Sequence, residues 1–239
     1  MNILVNGGSI SQGSGSWPYH VQEHFAASIV NLSQAGAGNN YICQATISEL
    51  AQRSYDLVLI QWAPFIRFDY KVKNIELFKN TIYTSEYQSK RNDWPGKVLW
   101  PVNDQDYVEK DWIFGGGRAM NNDPDLELTR AFDGFYNYAG SSEYMYHALM
   151  SIIGLQSYLK VKKIPYLFCF GRPWKMFDRF KHLNEQLDQS CMFTKAYIYD
   201  LVERNNWYAT DGYHPNEQAY EEFASLIIPA IEQIIQENQ

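Results

Sequence analysis

Asp56-Leu57-Val58-Leu59-Ile60-Gln61-Trp62 sets the tightest limit on what this chain can fold into. The run is apolar at consecutive positions and too short for a membrane span, so a strand built from it must be covered on both faces. Ile3-Leu4-Val5, Ser28-Ile29-Val30-Asn31-Leu32, Ile164-Pro165-Tyr166-Leu167-Phe168-Cys169-Phe170 and Ala196-Tyr197-Ile198-Tyr199-Asp200-Leu201 have the same character. Amphipathic stretches separate them. Trp17, Val21 and Phe25 follow the start signals Ser16 and Pro18, and a second helix is expected to run to about Arg53. A third covers about Ser141 to Lys160. A terminal helix is expected from Pro215, with a stripe of Tyr220, Phe223, Ile227, Ile231 and Ile234 and a kink at Pro229. The alternation predicts an α/β fold: a three-layer, doubly wound (flavodoxin-like) parallel sheet of about five strands with helices on both faces.

At 239 residues the chain suits one α/β domain, and 46% hydrophobic residues suffice for its core. Between about 65 and 140 the pattern loosens into Pro, Gly, Asn and Asp, as in Asn92-Asp93-Trp94-Pro95-Gly96 and Asn121-Asn122-Asp123-Pro124. We read this as an irregular insertion after the third strand, a lid or substrate-binding segment of the kind that often carries small helices.

With 20 basic against 27 acidic side chains the net charge is −7, which argues against a nucleic-acid partner. Cys43, Cys169 and Cys191 are odd in number and widely spaced, so they read as buried thiols rather than a disulfide framework or a zinc site. The start lacks a basic n-region and no stretch has membrane-span length, so a cytoplasmic protein without a membrane partner is expected. An aromatic content of 16%, with 18 tyrosines, suits packing and also a cleft that stacks on sugar rings.

Two short motifs carry chemistry. Gly7-Gly8-Ser9-Ile10-Ser11 follows the first strand and displays Ser9 at its carboxyl end. Asp211-Gly212-Tyr213-His214-Pro215 precedes the last helix, which in a doubly wound sheet packs near the first strand. A carboxylate three residues before a histidine can fix its tautomer and leave the other ring nitrogen free to take a serine proton. The competing readings are an ordinary Gly-Ser turn and a histidine that caps a helix.

Together these motifs resemble the SGNH hydrolases, or GDSL esterases. Gly7-Gly8-Ser9-Ile10-Ser11 is similar to the family's Gly-Asp-Ser-x-Ser block, and Asp211-Gly212-Tyr213-His214 to its Asp-x-x-His block. Asn31-Leu32-Ser33-Gln34-Ala35-Gly36 resembles the second block, whose glycine amide helps to hold the oxyanion. The resemblance implies Ser9 as nucleophile, His214 as base, Asp211 as its orienter, and the amides of Ser9 and Gly36 as oxyanion donors. It implies no cofactor and no metal, and a small-molecule or carbohydrate ester, such as an acetyl ester, as substrate.

Two departures stand out. Gly8 replaces the family's aspartate, and Gln61-Trp62-Ala63-Pro64-Phe65-Ile66-Arg67 has no asparagine where the third block should supply one. Asn39 is the expected stand-in, with Asn40 and the amide of Gln61 as alternatives. Otherwise the two backbone amides act alone. Arg67 and Arg172 lie just past strand ends and are expected either to hold a carboxylate or phosphate on the substrate or to form structural ion pairs. An acyltransferase would use the same residues, a non-catalytic binding module would keep only the cleft, and a nucleotide binder would need a glycine spacing that is absent. His20 and His24 lack a third zinc ligand, and Asp104, Asp106, Glu109 and Asp111 lack the pattern of a calcium loop, so both groups read as solvated faces.

Overall fold

The computed structural model describes residues 1–65, 67–71, 112–115, 141–174 and 178–238. Seven strands follow in chain order: β1 (Asn2–Asn6), β2 (Ser28–Asn31), β3 (Leu57–Trp62), β4 (Phe68–Lys71), β5 (Trp112–Gly115), β6 (Tyr166–Phe170) and β7 (Met192–Phe193). Five of them form a parallel sheet in the order β2-β1-β3-β6-β7. The chain leaves β1 for one side of the sheet and later returns to β3 on the other side. That switch point lies between β1 and β3, and the region beyond the carboxyl ends of these strands is the usual ligand position in such folds.

The unalternated apolar runs are explained by the two faces. Leu4, Val58, Ile60, Trp62, Tyr166 and Phe168 point into one core, while Ile3, Val5, Leu57, Leu59, Leu167 and Cys169 point into the other. Helices α2 (Asn39–Leu50) and α3 (Ser141–Lys162) cover the first face. On α3 the buried residues Met145, Leu149, Ile152, Leu155 and Leu159 keep helical spacing. Helices α1 (Trp17–Phe25), α4 (Ile198–Asn205) and α5 (Glu217–Glu237) cover the second. Trp17 and Phe223 meet edge to face across it, with ring centroids 5.9 Å apart. No helix among the described residues is long and apolar enough to cross a membrane.

Three expectations need correction. The run Ala196–Leu201 is not a strand: Tyr197 is the extended cap of α4, and Ile198, Tyr199, Leu201 and Val202 are buried at helical spacing. Short apolar runs fit either periodicity, and here the sheet edge is filled by the two residues of β7 instead. The last helix starts at Glu217, not at Pro215. Asn216 caps it by accepting from the Ala219 N–H at 3.0 Å, and Tyr208 and Pro215 form an isolated bridge just before it. The insertion is not wholly irregular, since β4 and β5 pair as an antiparallel ribbon. The Asn92–Gly96 and Asn121–Pro124 turns and the acidic residues Asp104, Asp106, Glu109 and Asp111 lie outside the described residues.

Candidate active site

The loops after β1 and β2 are held by asparagines at the strand ends. Asn6, fully buried at the end of β1, donates to the Ile42 carbonyl and to Thr46 Oγ1, both at 3.1 Å, and accepts from the Gly7 N–H at 2.8 Å. The strand end is thereby tied to α2 and the next turn is fixed. Residue 7 must be glycine, because a Cβ there would lie 2.8 Å from Ser11 Oγ and 3.0 Å from the Gln61 carbonyl oxygen. A single 3₁₀ turn, Ser9–Ser11, follows. Beneath it Ser11 donates to Gln61 Oε1 and accepts from Trp17 Nε1 at 3.1 Å, a buried polar cluster under the Ser9 turn.

The loop after β2 is tied to this turn at three points. Asn31 Nδ2 donates to the Ser11 carbonyl at 2.7 Å, the Gln34 N–H to the Gly7 carbonyl at 3.1 Å, and the Ala35 N–H to Gln12 Oε1 at 2.8 Å. Gly36 comes next, at φ +81°, a left-handed conformation that favours glycine. Among the described residues the backbone N–H groups of Ser9 and Gly36 have no protein acceptor.

The loop before α5 brings the histidine. The Gly212 N–H donates to the Ala209 carbonyl at 2.9 Å, the Ala209 N–H to the His214 carbonyl at 2.7 Å, and Gly212 turns at φ +68°. Asp211 Oδ1 accepts from the Tyr213 and His214 N–H groups, both at 2.9 Å. Its other oxygen lies 2.6 Å from His214 Nδ1, and His214 Nε2 lies 3.1 Å from Ser9 Oγ. Burial alone would raise the Asp211 carboxyl, but hydrogen bonds from the His214 ring and the two amides outweigh it and hold it below its usual range. A carboxylate only accepts, so the ring proton sits on Nδ1 and the lone pair of Nε2 faces the serine hydroxyl.

The structure therefore brings Ser9, His214 and Asp211 together across 205 residues of sequence separation. It does not bring Asn39 to them as a donor. The Asn39 carboxamide is clamped to the Ala63 backbone, donating to its carbonyl at 3.1 Å and accepting from its N–H at 2.9 Å, so it fixes the loop after β3. Gln61 Nε2 is sealed from solvent and cannot meet a substrate oxygen. Asn40 stands on the first turn of α2, where its side chain accepts from Gln44 Nε2 at 2.8 Å. Arg172 takes the ion-pair alternative, bonded to Glu203 with its guanidinium 4.3 Å from the centroid of Tyr199. Arg67 is the exception: among the described residues its guanidinium has no carboxylate partner, and its Nη1 rests against Gly8. His24 pairs with Glu232 at 3.2 Å.

Asp69 was not among the expected residues. It lies buried on β4, and its Oδ2 accepts from the N–H groups of Gly38 and Tyr41 at 2.9 Å each, capping α2 from another element. Burial pushes its carboxyl up to about 7 against these hydrogen bonds. With Phe65, Arg67, Tyr144, His147 and Met150 it lines a cavity of about 510 Å³ between α2 and α3. The strand-end asparagines were the readable signal for the loop ties, because polar residues ending apolar strands need buried partners. For Asp69 no local signal exists.

Comparison with solved structures bears on this arrangement. The psychrotrophic esterase EstA from Pseudoalteromonas sp., solved inhibited by monoethylphosphonate, matches over 98% of each chain with a TM-score of 0.52 and 11% identity. TesA matches over 98% of this chain and 99% of its own, with a TM-score of 0.51 and 13% identity. The chain shares the fold of these two structures, an α/β fold around a parallel sheet. No protein-family model and no curated protein matches the sequence. At such identities the SGNH likeness is one of fold, and the chemistry has to be argued from the residues themselves.

Proposed function

We propose that this chain is a serine ester hydrolase that removes a small acyl group, acetyl foremost, from an alcohol, with a carbohydrate ester as the substrate class. One observation carries the reading: His214 stands between Ser9 and Asp211 at 3.1 and 2.6 Å, with its free nitrogen toward the hydroxyl. Ser9 Oγ attacks the acyl carbon while its proton passes to His214 Nε2. The Asp211 carboxylate stabilises the imidazolium, and the amides of Ser9 and Gly36 hold the oxyanion. As the tetrahedral centre collapses, Nε2–H protonates the departing alkoxide. Water then attacks acyl-Ser9 by the same route, giving the carboxylic acid and free serine. No cofactor enters the scheme.

The carbohydrate preference is supported by Tyr213, 53% exposed and set perpendicular to the His214 ring, an aromatic face at the mouth of the site. A cytoplasmic setting is supported by the free thiols Cys43, Cys169 and Cys191. The test is hydrolysis of 4-nitrophenyl acetate and release of acetate from an acetylated oligosaccharide, compared with Ser9→Ala. Turnover lost in Ser9→Ala is the expected result. Acetyl transfer to an added sugar in preference to water would make the enzyme a transferase, and no turnover of any ester would leave a binding module.

A further inference from the structure

We infer that Arg67 is the third oxyanion donor, its guanidinium acting where the family's pattern has a side-chain amide after the third strand. The inference rests on the reading of Ser9 as nucleophile. Four observations converge on it. Arg67 comes from the loop after β3, turned back by its N–H bond to the Pro64 carbonyl at 2.9 Å, so it arrives from the element that should have supplied the asparagine. Its Nη1 lies 2.9 Å from where a Cβ on Gly8 would be, and among the described residues, chain neighbours aside, no other atom lies within 4 Å of that point. The guanidinium thus occupies the space of a missing side chain on the residue next to the nucleophile.

The backbone at Gly8 does not demand glycine, since φ −94° and ψ −160° are open to any residue. What residue 8 lacks is therefore room for a side chain, and Arg67 has taken that room. The two departures from the family pattern, glycine for aspartate in the first block and no asparagine in the third, become one exchange. A carboxylate at position 8 would meet this cation in the resting enzyme; glycine leaves it free.

Charge makes the same point. A half-buried guanidinium without a counter-ion is unfavourable unless an anion forms beside it. Arg172 has Glu203, but among the described residues Arg67 has no such partner. In the proposed reaction an oxyanion forms in each tetrahedral intermediate at Ser9, and a charge-assisted N–H donor is then stronger than the carboxamide it replaces.

The test uses the full chain and a neutral ester, 4-nitrophenyl acetate, on which a pocket for a substrate carboxylate has nothing to bind. Arg67→Ala is expected to lower kcat by about 10²–10³-fold with KM within about 3-fold, the usual cost of one oxyanion donor. Millimolar guanidinium should restore part of that rate in Arg67→Ala and none in Ser9→Ala. Gly8→Ala should lower kcat by pushing the guanidinium aside, and on the Arg67→Ala background it should add nothing further. The Gly8 variant keeps the test sharp if Arg67→Ala is poorly folded. A kcat for Arg67→Ala within about 3-fold of wild type would overturn the inference, as would losses from the two changes that multiply. A loss confined to KM for esters bearing a carboxylate would make Arg67 a ground-state anion clamp instead. Labelling of wild-type Ser9 by a fluorophosphonate separates the two levels: labelled and active wild type with an unaffected Arg67→Ala sinks only this inference, while unlabelled, inactive wild type sinks the nucleophile reading and this inference with it.

Discussion

Replacing Asp211 by asparagine removes a charge while leaving the loop's shape intact, and the consequence can be worked from the contacts. The Asp211 oxygen that accepts from the Tyr213 and His214 amides at 2.9 Å has two donors aimed at it, so in the variant the carboxamide oxygen stays there. Its NH₂ then faces His214 Nδ1, where the carboxylate stood at 2.6 Å. Two donors cannot face each other, so Nδ1 becomes the acceptor and the ring proton moves to Nε2. There it blocks proton transfer from Ser9. Restoring the productive tautomer costs about 2–3 kcal/mol, the penalty for opposing an unpaired donor. The lost attraction between carboxylate and imidazolium is about 4 kcal/mol at 4 Å and an effective dielectric of 20. The two side chains are 30% and 27% exposed, so solvent screening reduces that to about 2 kcal/mol. A sum of about 4–5 kcal/mol lowers kcat by about 10³–10⁴-fold at 1.36 kcal/mol per decade. The assay is kcat/KM for 4-nitrophenyl acetate at pH 7.5 beside a thermal melt. A folded Asp211→Asn enzyme within about 10-fold of wild type would refute the tautomer argument.

Two further expectations follow from the surrounding contacts. Gly7→Ala puts a methyl against the Gln61 backbone and Ser11, so an unfolding titration should show a loss of about 1–3 kcal/mol, and unchanged stability would contradict the packing described. At Asp69 the folded carboxyl sits near 7 against an ordinary 3.8, so the folded state binds this proton more tightly. Its contribution to stability is complete below about pH 4 and is lost as pH rises through 7. Asp69→Asn should remove that dependence and gain on wild type as pH rises from about 4 to about 7. A difference that is flat with pH would place the charge in a better-solvated site.

Much of the fold was legible because the fully apolar strands admit no other covering than helices on two faces, and Ile3, Leu4 and Val5 divide between the two cores as that logic requires. The failures were local. Ile198, Tyr199, Leu201 and Val202 fit both a strand and one helical face, and only the place of β7 at the sheet edge decides between them. Ser9, Asp211 and His214 could be named because their motifs resemble the first and last blocks of a known family, and the structure sets the three side chains within hydrogen-bond reach. Asn39 was misplaced because its partner, the Ala63 backbone, is a contact that no spacing reveals. Arg67 could be named as a charged residue on the active face. Its meeting with Gly8, the feature on which its proposed role rests, exists only in three dimensions.

The central claim is that Ser9 is activated by His214. Treatment with a fluorophosphonate, followed by intact mass and peptide mapping, tests it most directly. One adduct on Ser9 is expected in the wild-type protein and none in His214→Ala. No adduct on folded wild-type protein, or an adduct on Ser9 that survives loss of His214, would contradict it.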